Sequence, residues 1–241
     1  MDLNVPKLEA AFITYKRQLS RWILDLLMPP SCVQCGKVEI WLCDGCEQKI
    51  PLLTKPICAQ CGQPLEDEPC KSCRTTPLRV APIRSAFLFE DAIHAIHALK
   101  YRGATEVVEP LARRMAEAWQ FHQFQSDLLV PVPLHPSREL RRGYNQSALL
   151  ADALGKQIGI PTVLQTLLRV RNTESQTNLN RNKRRENVTA AFACTQNADF
   201  SGKVVTLVDD VATTGATLDA CATVLMAHGA KTVNAFTLAR A

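Results

Sequence analysis

Residues 203–217 read KVVTLVDDVATTGAT, and the fold depends on how that stretch is parsed. Residues 204–208 form a short apolar run rich in β-branched side chains, the pattern of a strand buried on both faces. Asp209 and Asp210 end that strand in this reading. A turn of hydroxyls and glycine follows, through Thr213, Thr214, Gly215, Ala216 and Thr217. Apolar residues at Leu218, Cys221, Val224 and Leu225 then recur at helical spacing in a run that extends to Gly229. Strand, acid pair, loop and helix in this order make a cradle for an anion. The loop amides and threonine hydroxyls donate to phosphate oxygens at the positive end of the helix, and the glycine permits close backbone approach. Carboxylates at a strand's carboxyl end suit ribose hydroxyls and, directly or through water, a magnesium ion. A plain helix cap beside two surface acids is the competing reading. A cap needs one hydroxyl, however, and this loop supplies three, after a dry strand.

The segment VTLVDDVATTGAT also resembles the motif with which type I phosphoribosyltransferases bind phosphoribosyl pyrophosphate (PRPP). The resemblance implies that Asp209 and Asp210 hold the ribose 2′ and 3′ hydroxyls, and that the loop of Thr213, Thr214, Gly215, Ala216 and Thr217 holds the 5′-phosphate. It implies a parallel α/β sheet of phosphoribosyltransferase type and magnesium arriving with PRPP.

Composition limits the alternatives. The chain has 241 residues, 46% of them hydrophobic and 21% charged, which is ordinary for a globular protein and long enough for one large domain or two. Its net charge of +5 permits a polyanionic partner without demanding one. No run approaches the roughly 18 apolar residues of a membrane span. Residues 22–28 are interrupted by Asp25, follow Arg17 and Arg21, and lack a small-residue cleavage site, so they do not read as a secretory signal. A cytoplasmic location is expected, and ten cysteines there point to metal, not disulfides.

Eight of those cysteines form a repeat. Cys32-x-x-Cys35-Gly is followed by Cys43-x-x-Cys46, and Cys58-x-x-Cys61-Gly by Cys70-x-x-Cys73. A C-x-x-C turn brings two thiolates onto one tetrahedral metal, and two turns close a four-thiolate zinc site with no open position, so the role is structural. Pairing within each half is the simpler arrangement; crossed pairing is equally compatible with the spacing. Upstream, Phe12, Leu19, Ile23, Leu26 and Leu27 predict an amphipathic helix that Pro29 and Pro30 stop. The expected layout is an N-terminal helix in residues 1–30, a double zinc ribbon in 31–76, and the sheet domain in 80–241.

Within the sheet domain, residues 86–89 read as a strand, and 91–101 and 106–120 as helices. His94 and His97 lie three apart, a geometry open to metal, but no thiol or carboxylate recurs at matching spacing, so helical packing is favoured. A strand is expected at 128–132, and a helix at 148–158. Between them stands a segment dense in pyrophosphate-binding groups: His135, Arg138, Arg141, Arg142, Asn145 and Gln146, with Gly143 for a sharp turn. A solvated basic loop is the plain alternative; its place at a strand's carboxyl end favours binding. Residues 169–187 are polar throughout, with five arginines and one lysine, and read as a lid over an anion. Apolar character returns at Phe192 and in a last strand at 232–238.

The pattern as a whole resembles the ComF family of competence and DNA-utilisation proteins, which includes GntX-type proteins. The likeness rests on the double ribbon, HALKYRG at 97–103, VPVPLHPSRELRRGYNQS, the R-x-T-x-x-Q-x-x-L segment at 171–179, and the acid-pair motif. It implies a lid built with Arg171, Thr173, Gln176, Arg184 and Asn187. Two functions follow from it. One is transfer of a phosphoribosyl group from PRPP to an acceptor, with Asp209 and Asp210 as the catalytic pair. The other is a non-catalytic factor of DNA uptake that handles single-stranded DNA or other DNA-uptake proteins and retains a PRPP site; with aromatic residues at 6%, stacking platforms are scarce for it. Because the last strand runs to within three residues of Ala241, no hood is expected after the sheet. The zinc module is then expected to pack near the strands' carboxyl ends and wall the acceptor side, in place of hanging on a free linker at residues 75–82.

Overall fold

Four apolar runs assemble a parallel sheet in the order β1-β6-β5-β2: β1 (Ile83–Leu88), β2 (Leu128–Pro131), β5 (Val204–Ala212) and β6 (Thr232–Arg240). The computed structural model describes residues 29–65, 70–171 and 191–241; the helix expected before Pro29 and the lid residues Thr173, Gln176, Arg184 and Asn187 lie outside them. Strands β3 (Leu167–Arg169) and β4 (Phe192–Cys194) pair antiparallel as a small separate sheet. β6 is buried past its first residue and β5 over most of its length, as central strands of a sheet covered on both faces are. Helices α3 (Phe89–Tyr101), α4 (Val108–Phe121) and α6 (Gln146–Ile158) cover one face, where Leu99, Leu111, Met115, Leu150 and Leu154 pack on Phe87, Val208 and Phe236. Helix α7 (Ala216–Ala227) covers the other face, setting Leu218, Cys221 and Leu225 on Val205, Leu207, Val233 and Ala235. Each such Leu contributes roughly 1.5–3 kcal/mol on burial.

Several boundaries depart from the sequence reading. β5 does not end at the acid pair: Asp209, Val211 and Ala212 continue the ladder opposite Thr237, Ala239 and Arg240. The ladder uses backbone groups, so a polar side chain at the sheet's edge does not stop it while a partner strand runs alongside. For the same reason β6 extends to Arg240, not residue 238. β1 begins earlier than expected, at Ile83, and Phe89 opens α3. The basic segment folds an unexpected short helix, α5 (Pro136–Arg142), because His135 caps it, Pro136 suits its first turn, and Gly143 closes it with φ +93°. Helix α6 starts two residues early because Asn145 Oδ1 accepts from the Ser147 amide at 3.0 Å.

The cysteines pair within each half: Cys32, Cys35, Cys43 and Cys46 gather in one set and Cys58, Cys61, Cys70 and Cys73 in the other, each set's sulfurs within 4.8 Å of one another. In the second pair of each half, Cys43 and Cys70 are the N-cap residues of short helices α1 (Asp44–Glu47) and α2 (Lys71–Thr75), which carry Cys46 and Cys73. A zinc tetrahedron with Zn–S bonds of about 2.3 Å has edges of about 3.8 Å. The Sγ separations of Cys32–Cys43 and Cys58–Cys73 are 3.8 Å, and those of Cys35–Cys43 and Cys61–Cys70 are 3.7 Å, so both sites fit structural zinc. His94 and His97 are exposed, and the His97 ring packs edge-on against Phe89 and Tyr101.

The ribbons are built into the sheet domain. Cys32, Leu42, Cys46 and Ile50 belong to the same apolar cluster as α4, and buried Glu47 accepts both Arg113 Nε at 3.1 Å and Nη2 at 2.7 Å. In the second ribbon the Gln60 carbonyl accepts from the Ile83 amide at 2.8 Å, while Gly62 lies so close that a Cβ would stand 2.5 Å from the Ile83 carbonyl oxygen. Residues 77–82 are tied at three points and are no free linker: Gln60 Nε2 donates to the Leu78 carbonyl at 3.0 Å, the Arg79 amide donates to Asp219, and the Ala81 amide donates to the Val233 carbonyl at 3.1 Å. We expect elemental analysis of gently purified protein to give about two zinc ions per chain. Cys194→Ser and Cys221→Ser, which fall outside both sets, should leave that number unchanged, and absence of zinc would refute the assignment.

Candidate functional site

Asp209 and Asp210 are the last acids on β5 before the loop, and consecutive strand residues point to opposite faces. Val208 belongs to the cluster under α3 and α6, and Leu207 to the cluster under α7. Asp210 turns toward the first face, where its Oδ2 meets Lys100 Nζ of α3 at 2.6 Å; the residue is only 5% exposed. Asp209 is held at the strand end by two donors to Oδ1, Ser147 Oγ at 2.7 Å and the Asp210 amide at 2.9 Å. Burial, reinforced by the neighbouring Asp210 charge, pushes the Asp209 carboxyl up to about 7. The two carboxylates thus play unequal parts: one has a resident cation, while the other is poised near neutrality.

Beyond the strand, Thr213 is exposed, Thr214 and Ala216 are half-buried, and Gly215 is buried with φ +78°. A Cβ at Gly215 would press to 2.9 Å from Leu78 Cδ1 and 3.2 Å from Ile83 Cδ1, so the position is glycine both for its conformation and for its contact with the segment leaving the second ribbon. Gly215 caps α7 with no side chain of its own, and Thr214 Oγ1 accepts from the Ala216 amide at 3.3 Å. The loop is fastened from below by Arg240, which is 4% exposed: its Nη1 donates to the carbonyls of Ala212, at 2.8 Å, and Thr213, and its Nη2 donates to Gln63 Oε1 of the second ribbon at 2.7 Å.

A basic cleft of about 250 Å³ opens beside the acids, lined by Lys100, Tyr101, Gly103, Arg138, Arg141, Arg142 and Tyr144. Of the residues singled out in the basic segment, Arg138, Arg141 and Arg142 line this cleft. The others carry local structure: His135 Nδ1 accepts from the Ser137 amide, Asn145 Nδ2 donates to the Val132 carbonyl at 3.0 Å, and Gln146 Oε1 accepts from Arg142. Arg171, the one assigned lid residue among those described, is exposed just past β3. Lys100, Ser147 and Arg240 were not singled out as site residues, although HALKYRG and NQS contain the first two. Magnesium binds through one or two carboxylates together with substrate phosphates. The carboxylate oxygens of Asp209 and Asp210 are donors of the kind that ion takes, and the four positive side chains of the cleft suit the phosphates that would arrive with it.

A strand-acid-loop-helix unit on a parallel sheet, with two four-cysteine sites ahead of it, defines a phosphoribosyltransferase-type domain joined to a double zinc ribbon. The double zinc ribbon domain family matches residues 23–75 and the phosphoribosyl transferase domain family residues 144–241. Competence protein F of Haemophilus influenzae is 31% identical over 223 residues, covering 87% of this chain and 96% of that protein. DNA utilization protein YhgH of Salmonella typhimurium is 31% identical, with coverage of 89% and 99%. Competence protein ComFC of Bacillus subtilis is 30% identical, with coverage of 83% and 84%. The chain belongs to the ComF family of competence and DNA-utilisation proteins.

The raised Asp209 carboxyl makes a signed prediction. Lifted from 3.8 to about 7, it favours folding fully below pH 3.8 and loses that advantage progressively until about pH 7. Asp209→Asn keeps the acceptor for Ser147 and removes the buried charge. Chemical denaturation should show the variant more stable by about 1–2 kcal/mol at pH 8, with the gain shrinking toward pH 4.

Proposed function

We propose that this protein binds PRPP at the carboxyl edge of its sheet and transfers the phosphoribosyl group to an acceptor in a process of DNA uptake or utilisation. The observation that carries the reading is the convergence, along one sheet edge, of the acid pair, the glycine-bent loop and the basic cleft that Lys100 joins to Asp210. Loop amides of residues 213–217 and the N-terminus of α7 hold the 5′-phosphate. Asp209 and Asp210 hold the ribose hydroxyls and stabilise positive charge developing at C1. The bond from C1 to the pyrophosphate oxygen breaks as the acceptor's lone pair attacks C1. Arg138, Arg141, Arg142 and Lys100 take up the negative charge of the departing pyrophosphate. Magnesium, when bound, neutralises charge on that leaving group.

The second reading, single-stranded DNA handling, gains from one observation. Two of the chain's three tyrosines, Tyr101 and Tyr144, line the basic cleft; Tyr101 is 73% exposed, and the Arg142 guanidinium lies 6.0 Å from its ring centroid. The exposed Tyr101 ring thus stands where a base would stack beside a phosphate. The names of the relatives motivate the same reading.

Calorimetry with PRPP and magnesium tests the first reading. Asp209→Asn combined with Asp210→Asn should abolish measurable binding and leave zinc content intact; unchanged affinity would sink the assignment. For the second, fluorescence anisotropy with a labelled oligonucleotide should show Tyr101→Ala weakening binding by about 1–3 kcal/mol, and unchanged affinity would refute stacking there.

A further inference from the structure

Lys100 stands between the two halves of the site. Its ammonium meets Asp210 at 2.6 Å, and the same side chain lines the cleft with Arg138, Arg141 and Arg142. The lysine side chain is 20% exposed and that of Asp210 only 7%, so the pair is mostly withdrawn from water at its acidic end and open at its basic end. Its place is fixed by the backbone: Lys100 occupies the last turn of α3, where the helix favours a cation, and Tyr144 Oη donates to the carbonyl of Leu99. An ammonium carries three donors, and one carboxylate contact leaves others for a second anion. A buried acid stripped of its only cation is costly, so whatever replaces Lys100 at Asp210 must itself be positive.

We propose that Lys100 is both the resident counter-cation of Asp210 and a diphosphate-binding residue of the cleft. Without ligand it neutralises the carboxylate. When a divalent cation takes its place at Asp210, the lysine directs its charge to the diphosphate beside it. One side chain thus makes the site tolerable when empty and complementary to a metal-diphosphate when filled. The ligand's identity rests on the PRPP reading, but the lysine's two contacts are testable without PRPP.

The test uses full-length, zinc-loaded protein with Lys100→Met and Lys100→Arg, probed by manganese(II) alone through water-proton relaxation and by inorganic pyrophosphate without divalent metal through calorimetry. Lys100→Met removes a competitor for Asp210, so manganese should bind at least about threefold tighter. It also removes a charged donor from the cleft, so metal-free pyrophosphate should weaken by about tenfold or more. Lys100→Arg should retain pyrophosphate binding. The opposite signs matter, because a merely structural lysine would weaken both ligands together and lower Tm in both variants. Weakening of both, no change in either, or no binding of either probe by the unaltered protein overturns the proposal. If the unaltered protein takes pyrophosphate but not PRPP, the PRPP reading fails while the lysine's role stands; unchanged probe affinities in a protein that binds PRPP give the converse.

Discussion

The pairing of β5 with β6 over its full run, from Val204 opposite Thr232 to Ala212 opposite Arg240, sets everything at the functional edge. Had β5 stopped at Val208, the acids would sit on a loop free to turn. The ladder instead carries them rigidly past the end of the apolar core, Asp210 to Lys100 of α3 and Asp209 to Ser147 of α6. It also brings Arg240 level with the turn whose carbonyls it holds. The acid pair is therefore not a two-pronged chelator but two carboxylates in different surroundings, one matched by Lys100 and one under Ser147.

The cost of this arrangement is visible in Asp209. A carboxyl raised to about 7 by burial and by its neighbour is a group the fold would hold more easily as an amide. Sites that bind ligands retain such groups because a ligand can supply the donors or positive charge that the fold withholds. The cleft is the mirror image, with four cationic side chains around one volume and Asp210 as the nearby acid. An acid-rich edge and a base-rich cleft meeting at one lysine suit a ligand that is itself split into a hydroxyl-bearing sugar and a charged diphosphate.

How much of this could be read from residues alone varies with the kind of signal. The β5-loop-α7 unit was legible because strand period, turn chemistry and helix period follow one another without a gap, and the cysteine pairs were legible because metal geometry dictates their spacing. The α5 helix was hidden because its apolar side is a single exposed Leu140, while its cap, His135, and its closing Gly143 were each read for another purpose. Lys100 was hidden for a different reason. Its helix was recognised, but nothing in helical periodicity says which distant strand residue its last turn will face. His135, Asn145 and Gln146 are ambiguous in the sequence: polar side chains that can bind an anion also cap helices or bond to neighbouring side chains, and composition alone does not choose between the uses.

The sheet order has a consequence for how the chain acquires its structure as it is made. β1 and β2 are the outer strands, and neither pairs with the other; beyond single bonds from residues 53 and 60 to β1 and from 161–163 to β2, their ladders run along β6 and β5, near the end of the sequence. Closing those ladders is therefore a long-range step, of the kind that folds slowly and is exposed to mispairing. The two ribbons follow a different timetable, since each four-cysteine set closes within its own short stretch and needs only the metal. The metal-set surface thus lies wholly ahead of the central strands in the sequence, and β6 brings Arg240 against it through Gln63. Loss of zinc would therefore reach the loop beyond β5, because the guanidinium that holds the Ala212 and Thr213 carbonyls is itself held by the second ribbon.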